Sequence, residues 1–136
     1  MVGFRINEKN IMNPQQLISR TKLLAVGIFN LVKELPKVYP SQAMGNQLIR
    51  AGTSVGANYR AACRSKSRKD FIYKLKVVEE ELDETIYWLE MIGETHHYIQ
   101  EKLIPLINEA VELIKIIGKS LSTVRKNQYK PRKLAQ

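Results

Sequence analysis

From residue 13 onward the chain alternates long segments of apolar residues spaced by three and four with short polar breaks. Leu17, Leu24, Ile28, Leu31 and Leu35 recur at intervals of seven, four, three and four, which marks one face of a helix. Asn13-Pro14 supplies the start, Asn as cap and Pro at the first helical position. Pro36 supplies the stop, because proline disfavours helical geometry in the residue before it. A second helix is predicted after Lys37–Pro40, with Ser41 as its cap. Its apolar residues are sparse and small: Met44, Leu48, Ala51, Val55, Ala57 and Ala62, with Gly45, Gly52 and Gly56 among them. Each glycine lowers helix propensity by about 1 kcal/mol relative to alanine. Tertiary contacts must therefore hold this helix, and its small side chains let a neighbour approach closely.

Ser65–Arg68 is the next break, and Ser67 with Asp70 resembles a capping box with Asp in place of Glu. The third helix is the clearest element. Phe71, Leu75, Val78, Leu82, Thr85, Leu89 and Ile92 step by four and three in a heptad seam, opposite Glu79, Glu80, Glu81, Asp83 and Glu84. Gly93 or His96-His97-Tyr98 ends it. A fourth helix is predicted from near Leu103, with Pro105 in its first turn and Ile107, Ala110, Ile114, Ile117, Leu121 and Val124 as its seam. Leu106, Leu113 and Ile116 widen the apolar surface, and that excess points to a second contact, most simply another subunit. Strand signals are absent. Four amphipathic helices with short links give an all-α fold, an antiparallel up-down four-helix bundle over residues 13–127. Residues 1–12 read as a flexible arm and 128–136 as a basic disordered tail.

The charge distribution adds a function to this architecture. The net charge is +9, and two short segments account for all of it. Residues 60–76 carry seven bases against one acid, and residues 115–136 carry seven against none. In an up-down bundle the second connection and the C-terminus lie at the same end. The two segments converge there on one positive pole, and polyanions become the leading partners. The 136 residues suit one domain, and 44% hydrophobic content suits a globular one. The lone Cys63 allows no intrachain disulfide and suits a reducing compartment. The N-terminus lacks the apolar stretch of a signal peptide and no run is long enough to span a membrane. The expectation is a soluble cytoplasmic protein.

Three stretches carry a family resemblance: Gln47–Ala62 with its Ser54-Val55-Gly56-Ala57-Asn58 core, Phe71–Leu75, and Glu79–Thr85 followed by Tyr87-Trp88-Leu89-Glu90. Together they resemble the four-helix-bundle proteins encoded in intervening sequences of bacterial 23S rRNA genes. The resemblance implies a left-handed bundle that assembles as a ring-shaped homopentamer. It is similar also to accessory proteins of diversity-generating retroelements, which bind nucleic acid and a reverse transcriptase. No enzymatic activity and no cofactor is implied.

The nucleic-acid-binding candidates are Arg60, Arg64, Lys66, Arg68, Lys69, Lys74 and Lys76 with Arg125, Lys126, Lys130, Arg132 and Lys133. The alternative for the same residues is a solvated face, or cations offsetting the C-terminal dipoles of helices 2 and 4. Phosphate contacts carry no sequence information, so weak specificity is expected. RNA is the favoured ligand, and Tyr59, Tyr73 and Tyr129 could stack on unpaired bases, although Tyr73 better suits packing or an interface. The other function considered is a protein-interaction scaffold, or an accessory to a protein of a mobile element, with no direct nucleic-acid binding. Glu79–Glu84 reads as a solvated face or a partner for arginines. Glu94-x-x-His97 matches half of a di-iron motif and lacks the other half. Ser54 and Asn58, four apart, read as interhelical hydrogen-bonding groups. Cys63 reads as structural, with nearby arginines able to lower its pKa.

Overall fold

Polar caps and prolines set the ends of four helices. The computed structural model describes residues 13–128. It forms α1 (Pro14–Val32), α2 (Tyr39–Cys63), α3 (Arg68–Thr95) and α4 (Gln100–Gln128), with a 3₁₀ turn at His97–Ile99. No strand occurs among the described residues. The expected arm and nearly all of the expected tail lie outside them. Asn13 caps α1 as its sequence predicts, its Oδ1 accepting from Gln15 N at 2.8 Å. Ser67 caps α3, its Oγ accepting from Asp70 N at 3.1 Å.

Other boundaries differ from the sequence reading. α1 ends at Val32, and tighter turns carry the chain on to a buried Leu35. α2 begins at Tyr39 with Val38 as its cap, so Ser41 is not the cap. Ser41 is buried instead, its Oγ 2.8 Å from Nε2 of the buried His96. His96 Nδ1 lies 3.3 Å from the Ile92 carbonyl, which can only accept. Nδ1 also lies 2.8 Å from Thr95 Oγ1, whose hydroxyl donates to the Met91 carbonyl, so a neutral ring with its proton on Nδ1 satisfies these contacts and leaves Nε2 to accept from the Ser41 hydroxyl. This bond ties the first turn of α2 to the α3–α4 connection. α4 begins at Gln100, which puts Pro105 in its second turn. Pro105 has no N–H to donate to the Glu101 carbonyl, and both residues lie on an exposed face.

Named contacts fix the antiparallel order on all four sides. Added Cβ atoms on Gly45, Gly52 and Gly56 of α2 would lie 2.9 Å from Val32, 2.5 Å from Ile28 and 3.3 Å from Thr21 of α1. Numbers rise on one helix as they fall on the other. The glycines are thus where α2 admits α1 at close range, as its small residues predict. Arg50 of α2 pairs with Glu81 and Glu84 of α3. Glu79 of α3 reaches Gly118 of α4, and Gly93 reaches Leu103. Arg20 of α1 meets Glu109 and Glu112 of α4, while Lys102 meets Glu34. The bundle core is a stack of fully buried residues that includes Leu17, Ile28, Leu48, Leu75, Leu82, Leu89 and Ile117.

The α3 seam is buried throughout, Thr85 included. The α4 seam matches the predicted one at Ala110, Ile117, Leu121 and Val124 and departs from it at Ile107 and Ile114. Leu103, Ala110, Leu113, Ile117, Leu121 and Val124 are buried, whereas Ile107 and Ile114 are half-buried. The apolar excess of α4 is absorbed by its own bundle, with Leu106 and Ile116 packed against the core. The large unpartnered apolar stripe lies on α1 instead. Leu23, Val26 and Phe29 are 66%, 49% and 53% exposed on the side away from the core.

Candidate nucleic-acid interface

The antiparallel order brings the C-termini of α2 and α4 and the N-termini of α1 and α3 to one end. Two positive and two negative dipole ends meet there and largely cancel. The cations at this end are therefore in excess of what dipole compensation would call for. Arg60, Arg64, Lys66, Arg68, Lys69, Lys76, Arg125 and Lys126 are all exposed, and none forms an ion pair among the described residues. Lys74 differs: it is half-buried, with Nζ 2.9 Å from Asp70 Oδ2. Lys130, Arg132 and Lys133 lie outside the described residues.

The cations do not form one cluster but two adjoining features. Where α2 runs antiparallel to α3, Arg60, Arg64 and Lys74 border a shallow groove of about 480 Å³ floored by Ala57 and Ala61. Two alanines one turn apart leave the helix surface low enough for a phosphodiester chain to approach the flanking guanidinium groups. On the outer side of α3, Tyr73 is 66% exposed and stands one turn from both Lys69 and Lys76. An exposed aromatic between two lysines has the make-up that could stack on a base while the cations meet phosphates.

This corrects the reading of the tyrosines. Tyr73 is open on this chain instead of packed, and Tyr59 is buried at 4% exposure. Tyr59 is therefore closed to stacking, and burial pushes its phenol well above the usual range. The sequence signal for the difference is the α3 heptad. Tyr73 falls outside the Phe71–Leu75–Val78 seam, while Tyr59 continues the Leu48–Val55–Ala62 seam. Tyr129 lies outside the described residues.

The remaining candidates resolve into local structure. Ser54 Oγ donates to the Arg50 carbonyl at 2.7 Å and Asn58 Nδ2 donates to the Ser54 carbonyl at 2.8 Å. Both bonds stay within α2, so the expected interhelical role does not hold. Glu81 and Glu84 pair with Arg50, and the Arg50 guanidinium, then the Trp88 indole, hold the Glu84 carboxyl below the usual range. Glu94 and His97 are both exposed, and no group of three or more His, Cys, Asp or Glu among the described residues could share a metal ion. Trp88 is half-buried and packs against the core.

Cys63 is half-buried, and burial pushes its thiol up, opposed in part by Tyr59. The expected lowering by neighbouring arginines is thus reversed by burial. The thiolate is the reactive form. Cys63 is accordingly expected to react with iodoacetamide at pH 7 more slowly than a free cysteine, a comparison mass spectrometry can make. A faster rate would place a cation at the sulfur.

Comparison with known proteins adds the family context. The family of 23S rRNA-intervening sequence proteins matches residues 15–119. A crystal structure of a protein of unknown function from the S23 ribosomal protein family of Bacteroides thetaiotaomicron superposes with a TM-score of 0.72 at 34% identity. The similarity covers 79% of this chain and 99% of that one. No curated protein matches.

Proposed function

This chain belongs to the 23S rRNA-intervening sequence protein family, and we propose that it is a non-enzymatic nucleic-acid-binding protein that works as a homopentamer. The observation that carries the binding role is the convergence of unpaired cations from α2, α3 and α4 on one end of the bundle. RNA is the favoured ligand. The exposed Tyr73 between Lys69 and Lys76 suits unpaired bases, which duplexes do not offer. The groove at Arg60, Arg64 and Lys74 would hold the backbone, with weak sequence preference. Cyclic symmetry would point every basic end the same way, so a ring would present one continuous cationic rim. The reading requires no cofactor and places the protein in the cytoplasm. No described helix is long and apolar enough to cross a membrane.

The test is a salt titration against labelled single-stranded RNA, duplex RNA and duplex DNA, with the same sample sized by light scattering. Single-stranded RNA should bind most tightly. Its log affinity should fall with log salt at a slope of about −3 or steeper, as four contacted phosphates would give. Equal binding to all three would keep the electrostatic site and remove the stacking role. No binding at low salt would overturn the proposal in favour of a protein-interaction scaffold.

A further inference from the structure

The exposed stripe on α1 has a counterpart on the opposite side of the bundle. α1 and α3 occupy diagonal corners, each packed on α2 and α4. Their outer faces therefore lie on different sides of the bundle. On α1, Lys22, Phe29 and Lys33 follow at intervals of seven and four, one stripe of a helix surface. On α3, Glu80, Tyr87 and Glu90 follow at intervals of seven and three. One stripe reads cation, aromatic, cation; the other reads anion, aromatic, anion.

Both stripes remain open to solvent, although Tyr87 stands edge-on to Trp88 with ring centroids 5.0 Å apart. Phe29 is 53% and Tyr87 54% exposed. Lys22, Lys33, Glu80 and Glu90 are exposed and form no ion pair among the described residues. Lys33 Nζ lies 5.4 Å from the centroid of the Phe29 ring, a contact that keeps the charge beside the aromatic. Phe29 also borders a groove of about 220 Å³ between α1 and α2, lined further by Val32, Lys33 and Ile49. Leu35, Lys37, Ser41, Gln42 and Asn46 complete its lining, so it offers apolar walls, polar groups and two lysines to a phenol ring flanked by carboxylates.

The spacings agree as well. At 1.5 Å per residue, Lys22, Phe29 and Lys33 stand about 12, 22 and 28 Å above the start of α1. On the same scale Glu80, Tyr87 and Glu90 stand about 18, 28 and 33 Å above the start of α3. The offset is close to one helical turn at every position. α1 and α3 run in the same direction from the basic end. A rotation axis parallel to the bundle preserves height and direction, so the stripes would meet in parallel about one turn out of register, a gap of about 6 Å that long Lys and Glu side chains can span.

We propose that a second copy of this chain docks its α3 stripe, Glu80–Tyr87–Glu90, on the α1 stripe, Lys22–Phe29–Lys33, with Tyr87 seated in the groove beside Phe29. The contact is heterologous, because each copy uses a different face for each neighbour. It would cover Val26 and Phe29 and leave the basic end clear. This inference rests on the ring reading above and names the faces that build it.

Light scattering of the full chain at one concentration tests it. Lys22→Glu with Lys33→Glu sets acid against acid, and Glu80→Lys with Glu90→Lys sets base against base. Each pair is expected to reduce the mass to that of a single chain. A chain carrying all four substitutions regains opposite charges across the contact and should return to the wild-type mass. Circular dichroism checks the helices, and Tyr87→Ala, expected to give the same loss of mass, serves if a charge variant fails to fold. A wild-type oligomer left intact by both pairs overturns the face assignment and leaves the ring. Loss of mass in both pairs without rescue in the fourfold variant also overturns it. A monomeric wild type overturns the ring reading, and the assignment with it.

Discussion

Replacing Arg64, Lys66, Arg68 and Lys69 together with serine is expected to weaken RNA binding on the order of 10²–10³-fold at 0.1 M salt. The same variant should flatten the salt dependence by about three units of slope if all four contact single-stranded phosphates. The two effects have one origin. Each cation on a phosphate releases condensed counterions, and each unit of slope corresponds to about tenfold in affinity between 1 M and 0.1 M salt. All four residues are exposed at the α2–α3 connection and none is ion-paired among the described residues. Their loss removes charge without breaking a contact that holds the bundle. Ser67, which caps α3, is untouched. Fluorescence anisotropy across a salt series reads both quantities on one sample. Weaker binding with an unchanged slope would mean the variant is misfolded, and unchanged binding would move the site off this connection.

Replacing Leu82 with alanine is expected to destabilise the bundle by about 2–5 kcal/mol. Leu82 is fully buried at the middle of the α3 seam, so truncation loses both its transfer free energy and the contacts around the space it leaves. For a domain of this size that is a fall in Tm of roughly 10–20 °C. Asp83, next in sequence and exposed, is the control. Asp83→Ala should stay within about 0.5 kcal/mol of wild type. Thermal unfolding should be followed at one protein concentration, because assembly shifts apparent stability by mass action. A loss under about 1 kcal/mol for Leu82 would mean the site collapses around the smaller side chain.

Periodicity was legible to different depths in different helices. α3 could be read residue by residue, since apolar seam and charged face are cleanly separated along it. α4 could not. With apolar residues at Leu106, Ile107, Leu113, Ile114, Ile116 and Ile117, two seams fit the sequence equally well, and only packing against α1 and α3 selects Leu113 over Ile114. Ser41 shows the same limit at a helix end. A serine after proline satisfies the capping pattern, but the buried His96 offers it a stronger bond across the bundle. Among the site residues, the cations of the α2–α3 connection were visible as a charge run. That Lys74 is half-buried against Asp70, and that Tyr73 is open while Tyr59 is closed, depends on which way each helix is rotated.

The sequence by itself determined the number of helices, the positions of the α1 and α3 starts, the α3 seam and the presence of two cationic segments. These depend on local chemistry: caps, prolines, and the three-and-four spacing of apolar side chains along one chain. The convergence of those segments on one end follows from the up-down order that the sequence predicts, and only the tertiary structure decided which described cations there are free and which, like Lys74, are paired. It also decided that the glycines of α2 receive Val32, Ile28 and Thr21 of α1, and that the apolar surface left over belongs to α1 and not α4. The last two are relations between helices. A single helix has no means of specifying which of its faces a neighbour will cover, because burial is set by the partner's shape as much as by its own residues.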